Sequence, residues 1–129
     1  SMPFRRKRGG HTVSKGRILG AQMVGYLEQD HWLANARHAN AMAQALTTGL
    51  QSLGFARLPW PTQANEVFVV LPKDKADRLT KAQIRAAPWE SISLPKGFVI
   101  GPEDAFLRFV LSFKTSQSEI DHVVQTLRG

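Results

Sequence analysis

An α+β domain is expected from this chain: a small, mostly antiparallel sheet of three to four strands with helices on one face, preceded by a basic arm and a helix. Three features point there. An apolar stripe at helical spacing runs through residues 31–53, two β-branched and aromatic runs occupy residues 65–71 and 106–113, and a capped helical pattern closes the chain.

The elements follow in order. Ser1 and Met2 read as an expression remnant. Residues 1–17 form a basic arm or loop containing Gly9, Gly10 and Gly16, and residues 18–129 a single domain. The abrupt, charged start suggests further chain upstream. Within residues 15–29, Ile18, Ala21, Met23 or Val24, and Leu27 recur at helical spacing, weakened by Gly20 and Gly25, with Ser14 as candidate N-cap. Asp30 caps a second helix whose stripe is Leu33, Ala36, Ala39, Ala43, Leu46, Leu50 and Leu53, closed by Gly54. Leu58-Pro59-Trp60-Pro61 is an extended link, because two prolines forbid regular ladder pairing.

Residues 65–71 read as a strand covered on both faces, ended by Pro72. A helix over residues 74–87, stopped by Pro88, and a short strand over 89–94 come next. Phe98-Val99-Ile100 and residues 106–113 flank the turn-rich Gly101-Pro102-Glu103-Asp104-Ala105, which predicts a hairpin. Ser116 and Glu119 have capping-box spacing at the start of a last helix, with Ile120, Val123, Val124 and Leu127 as its buried face.

With 129 residues, 43% hydrophobic and 21% charged, the composition is that of one globular domain able to bury a core. Zero cysteines exclude a disulfide scaffold and remove the usual thiolate ligands for structural zinc. Neither an apolar run of membrane-spanning length nor a signal-peptide pattern occurs, so a cytoplasmic protein is the default. The net charge of +7 is concentrated: Arg5, Arg6, Lys7, Arg8, Lys15 and Arg17 stand in an acid-free arm, and the remaining 11 basic and 10 acidic residues nearly cancel. Such an arm fits phosphate binding, and a nucleic-acid-binding module is one function class it allows. Against that class, Phe4 is the sole aromatic among these charges and no reader motif accompanies them.

Arg108 is the anomaly. In the strand of residues 106–113, Leu107, Phe109, Leu111 and Phe113 share an apolar side, while Phe106, Arg108, Val110 and Ser112 share the other. A guanidinium in the most hydrophobic strand needs an anion beside it. Glu66, Glu103 or Asp104 would satisfy it from within the chain; a bound carboxylate would do so from outside. Histidines carry less. His31 and His38 share a helix face with no acid or cysteine to complete a metal set, His122 falls on the polar side of the last helix, and no metal site is expected. His11, in the arm, is open to two readings, a solvated histidine or, were a cofactor near it, one that could exchange protons. Trp32, Trp60 and Trp89 read as core or rim packing rather than stacking platforms.

Several segments together resemble the C-terminal part of bacterial low-specificity L-threonine aldolases. They are Phe4-Arg-Arg-Lys-Arg-Gly-Gly-His-Thr-Val-Ser-Lys-Gly-Arg17, Ala21-Gln22, Tyr26-Leu27, Trp32-Leu33-Ala34-Asn35-Ala36-Arg37, Gln63-Ala64-Asn65-Glu66-Val67-Phe68, and Leu107-Arg108-Phe109-Val110 with Ser112-Phe113. The resemblance implies a pyridoxal-phosphate-dependent lyase of the aspartate-aminotransferase fold class, with a large cofactor domain and a smaller C-terminal one. Such enzymes usually assemble as homotetramers with active sites at subunit interfaces. By resemblance, Arg108 matches the arginine that grips the substrate's α-carboxylate, and the arm with Lys7, Arg8, Lys15 and Arg17 reaches toward a neighbouring subunit's cofactor phosphate. The Schiff-base lysine, the histidine stacked on the cofactor and the aspartate paired with its pyridine nitrogen belong to the large domain. No lysine here sits in the desolvated setting such chemistry needs. The expectation is therefore a part that contributes binding and assembly and is inactive alone. A stand-alone dimerisation module is the remaining alternative.

Overall fold

The computed structural model of the chain describes residues 1–11, 16–91 and 94–129. It comprises two units, Ser1–Ala34 and Asn35–Gly129.

In the first unit part of the expected arm or loop, residues 2–8, is helical. Helix α1, Met2–Arg8, carries Pro3 in its first turn, where the missing N–H leaves no bond unmade. Arg5, Arg6, Lys7 and Arg8 fill its last turn, where cations complement unpaired carbonyls. Helix α2, Gly16–Leu27, corresponds to the second predicted segment; its expected cap, Ser14, lies outside the described residues. No residue of α1 or α2 is buried. A single 3-10 turn, Glu28–Asp30, follows, with Gln29 and Asp30 at φ of 54° and 59°. Asp30 thus stands immediately before helix α3, His31–Gln51, in a left-handed conformation that aspartate tolerates.

The second unit is the α+β layer. Strand β1, Glu66–Pro72, and strand β3, Asp104–Val110, pair antiparallel over seven residues, from Glu66 opposite Val110 to Pro72 opposite Asp104. Strand β2, Ala87–Pro88, pairs with the other side of β3, giving the order β1-β3-β2 with β3 central. Alternation then sorts the side chains. Val67, Val69, Leu71, Leu107, Phe109 and Leu111 enter one core with Ala43, Leu46 and Leu50 of α3. Leu79 of helix α4, Lys73–Lys81, and Ile120, Val123 and Leu127 of helix α5, Gln117–Arg128, complete it. Helices therefore cover one face of the sheet, as expected. The α3 stripe is buried from Ala39 onward, whereas Leu33 is half-buried and Ala36 exposed. Helix α5 opens with the predicted capping box: Ser116 Oγ accepts from Glu119 N, and Glu119 Oε2 accepts from Ser116 N at 2.7 Å.

Several elements differ from expectation. Helix α4 ends at Lys81 instead of reaching residue 87. Gln83 takes a φ of 58°, Ile84 N donates to Leu79 O and Gln83 N to Thr80 O, which together make a Schellman motif. Glutamine holds the position where glycine is the usual signal, so the stop was illegible. Pro88, expected to end that helix, instead sits on the sheet edge, where its missing N–H is harmless.

The predicted hairpin does not form. Residues 98–100 have no ladder partner; Val99 O accepts from Arg57 Nη1 at 2.8 Å, and both sides of β3 are taken by β1 and β2. Of the strand expected over 89–94, residues 89–91 and 94 are irregular, and Ile92 and Ser93 lie outside the described residues. Strand β3 also begins and ends earlier than predicted. Beyond Leu111 a turn is closed by Ser112 N donating to Thr115 Oγ1 at 2.9 Å, and Phe113 is left 55% exposed.

Candidate functional site

The face of the sheet turned away from the helices is aromatic at its centre, with Arg108 set among the rings. Phe68 on β1 lies opposite Arg108 on β3, and Val70 opposite Phe106. Trp60, from the proline-bracketed link, meets Phe68 edge-on with centroids 5.3 Å apart and Phe106 at 5.9 Å. Trp89, just past β2, meets Phe68 at 5.5 Å, and its backbone N–H donates to Phe106 O at 2.9 Å. Each tryptophan thus fastens an irregular segment to the sheet through rings whose edge-to-face contacts add to their burial.

Arg108 runs through this cluster. The Trp89 ring covers its guanidinium with 4.3 Å between Cζ and the ring centroid. Nη1 donates to Glu66 Oε1 at 3.2 Å, so Glu66 is the acid chosen among the three that were open. The two residues are cross-strand diagonal neighbours on one face, Glu66 lying two positions before Phe68, and long side chains reach across that distance. The contact is single rather than forked, and side-chain exposure of 27% and 37% leaves both groups within reach of solvent. Arg108 Nε is shut off from solvent and donates to no acceptor among the described residues. A buried unpaired donor of this kind costs about 1–3 kcal/mol. An arginine with one weak acid contact, a side chain 27% exposed and a rigid aromatic backing has a guanidinium edge to offer a planar carboxylate.

At the opposite end of β3 a second pair is better satisfied. Arg57 Nη2 donates to Asp104 Oδ2 at 2.5 Å, and Gly101 N donates to the same oxygen at 2.8 Å. The Gly101 backbone bond, followed by the Arg57 charge, holds the Asp104 carboxyl below its ordinary range. This pair closes the turn into β3 and so fixes the strand that carries Arg108.

The other predicted site residues belong to the first unit. Lys7 and Arg8 end α1 and Arg17 begins α2, all three exposed; Lys15 lies outside the described residues. Both described ion pairs, Arg57 with Asp104 and Arg108 with Glu66, are in the second unit. His11 and His31 are exposed, and His38 bonds Thr115 O through Nε2 at 2.7 Å, tying α3 to the turn before α5. His122 lines an open cleft of about 450 Å³ with Arg85, Ser118 and Glu119. Glu119 is held there by Ser116, whose backbone and then side-chain hydrogen bonds depress its carboxyl. No group of three metal-ligating residues occurs among the described residues. Nor is any described helix long and apolar enough to cross a membrane.

Sequence reasoning singled out Arg108 but missed its surroundings. Trp89 proves to be a stacking platform for the guanidinium, not just rim packing. The alternation Phe68, Val70 against Phe106, Arg108 was a signal for the aromatic face; nothing in the sequence announced that two loop tryptophans would close over it.

No family model matches the sequence. The chain is 30% identical over 126 residues to the low specificity L-threonine aldolase of Pseudomonas sp. (strain NCIMB 10558), covering 98% of this chain and 33% of that one. To the low specificity L-threonine aldolase of Pseudomonas aeruginosa it is 31% identical, over 97% of this chain and again 33% of the relative. Among solved structures, threonine aldolase of Leishmania major aligns with a TM-score of 0.57 and 25% identity, over 70% of this chain and 24% of that one. The resemblance read from the sequence is borne out, and the chain spans about a third of the length of the curated relatives it matches.

Proposed function

We propose that this chain is the C-terminal, substrate-binding and assembly portion of a cytoplasmic pyridoxal-phosphate-dependent lyase that cleaves L-threonine and similar β-hydroxy-α-amino acids to glycine and an aldehyde. What carries the reading is Arg108: a guanidinium on the central strand, backed by Trp89 and only singly held by Glu66, in a chain that matches two threonine aldolases over nearly its whole length.

The residues present fit one end of the cofactor and not the other. Exposed cations at Lys7, Arg8 and Arg17, in a stretch without acids, suit the phosphate of a bound cofactor. No described lysine suits its carbonyl end: Lys7, Lys73, Lys81, Lys96 and Lys114 are exposed, and Lys75 lies with Nζ 5.0 Å from the Phe55 ring centroid. Pyridoxal phosphate, when bound in the complete enzyme, supplies the electron sink that makes cleavage between the α- and β-carbons accessible. This chain's part is to bind and orient. Arg108 pairs with the α-carboxylate, and its station on β3, locked between β1 and β2, fixes where the amino acid's Cα stands. Trp89 holds the guanidinium plane, and the Trp60–Phe68–Phe106 cluster fills the sheet face beside it. Recognition without an attachment lysine leaves the chain inactive by itself, and partner subunits of a homotetramer complete the site.

Replacement of the matching third of a Pseudomonas enzyme with this chain tests the proposal. The chimera is expected to form glycine from threonine. A folded chimera that binds the cofactor and releases no glycine overturns the reading. The basic first unit also allows nucleic-acid binding; affinity for random DNA that is sub-micromolar at physiological salt and falls steeply with added salt would favour that alternative.

A further inference from the structure

Beyond carrying the carboxylate site, the second unit holds an acid already seated on it. We propose that Glu66 is an internal competitor for the ligand carboxylate at Arg108, occupying the arginine when the site is empty and leaving it when a carboxylate arrives. The proposal rests on the reading of Arg108 given above and adds a second residue that sets its affinity.

Geometry makes the contact replaceable. A charge-assisted N–H to carboxylate bond is usually about 2.7–2.9 Å long and often forked; here one nitrogen reaches one oxygen at 3.2 Å. Glu66 presents the functional group an amino acid would present, from a side chain 37% exposed and free to swing into water. Its departure does not release Arg108. The guanidinium stays under the Trp89 ring, 4.3 Å from the centroid. Two carboxylates could not share the Nη edge without mutual repulsion, so binding requires exchange. A ligand that must first displace an internal partner binds more weakly by the fraction of time the site is free. A partly exposed pair worth up to about 1 kcal/mol makes that a factor of about two to six.

The test uses the 129-residue chain itself, nitrogen-15 labelled and titrated with sodium acetate against sodium chloride at matched ionic strength. Acetate, and not chloride, is expected to shift the Arg108 Nε–H and Trp89 indole N–H resonances saturably, and Arg108→Lys to abolish the response. Glu66→Gln should tighten acetate binding about twofold to sixfold, with Glu66→Ala giving the same direction. Should acetate bind both glutamate variants no tighter than the parent while still requiring Arg108, the competition is refuted and the carboxylate role of Arg108 stands. If neither parent nor variants show an acetate-specific shift, the carboxylate reading falls along with the competition.

Discussion

Gly49 lies inside α3, where glycine is about 1 kcal/mol less favourable than alanine. The substitution Gly49→Ala would therefore stabilise an isolated helix. Here a Cβ built on Gly49 would stand 2.5 Å from Val124 Cγ2 of α5, well inside contact distance. Val124 is 9% exposed and β-branched in a helix, so it has little rotamer freedom with which to withdraw. Overpacking of this kind costs about 1–3 kcal/mol. Set against the propensity gain, Gly49→Ala should be destabilising by about 0–2 kcal/mol. Val124→Ala alone removes two buried carbons and should cost about 1–2 kcal/mol. In the Val124→Ala background the clash is gone, and Gly49→Ala should become stabilising. Urea unfolding of the four proteins measures this as a coupling energy of about 1–3 kcal/mol. A stabilising single Gly49→Ala, or effects that simply add, would refute the close approach of α3 and α5 that seats the sheet.

Two further outcomes are expected. Asp104 and Glu119 both have folded-state pKa values below their ordinary ones, so they stabilise the fold above the unfolded carboxylate range and lose that contribution as pH falls through the folded values. The urea midpoint should hold steady near neutrality and drop in acid, and Asp104→Asn or Glu119→Gln should lower the neutral plateau and flatten the acid limb; an unchanged limb in both variants would count against the assigned bonds. Mixed with pyridoxal phosphate, the isolated chain should release no glycine from threonine and yield no borohydride-reducible adduct confined to a single lysine, as read by peptide mass spectrometry. One specifically labelled lysine would show that the attachment site had been overlooked.

Where side-chain pattern and backbone chemistry agreed, the sequence was legible. Ile120, Val123, Val124 and Leu127 are the buried face of α5, and Ser116 with Glu119 caps it, because periodicity and capping are both local properties. The strand β1 was equally plain from its β-branched run. Failures came where tertiary context decided. Residues 98–100 are as strand-like as any, yet β3 had no free side left for them. Gln83 ends α4 in a conformation that glycine would have advertised. At the site, Arg108 stood out because a charge interrupts an apolar strand, and Glu66 was visible as one of three acids. The choice among them depended on register: only the pairing of Phe68 with Arg108 sets Glu66 on the correct diagonal. Trp89 reaches the guanidinium through an irregular segment, whose path no periodicity describes.

The kinetics of threonine cleavage by the chimeric aldolase, with Arg108 and with Arg108→Lys, bear on the substrate site without intermediary. Lysine keeps the charge and loses the planar fork, so the account predicts a KM for threonine raised about a hundredfold, the loss of roughly 3 kcal/mol of binding, in a protein that still folds. A KM within about twofold of the parent would contradict it, leaving Arg108 as the structural partner of Glu66 and nothing more.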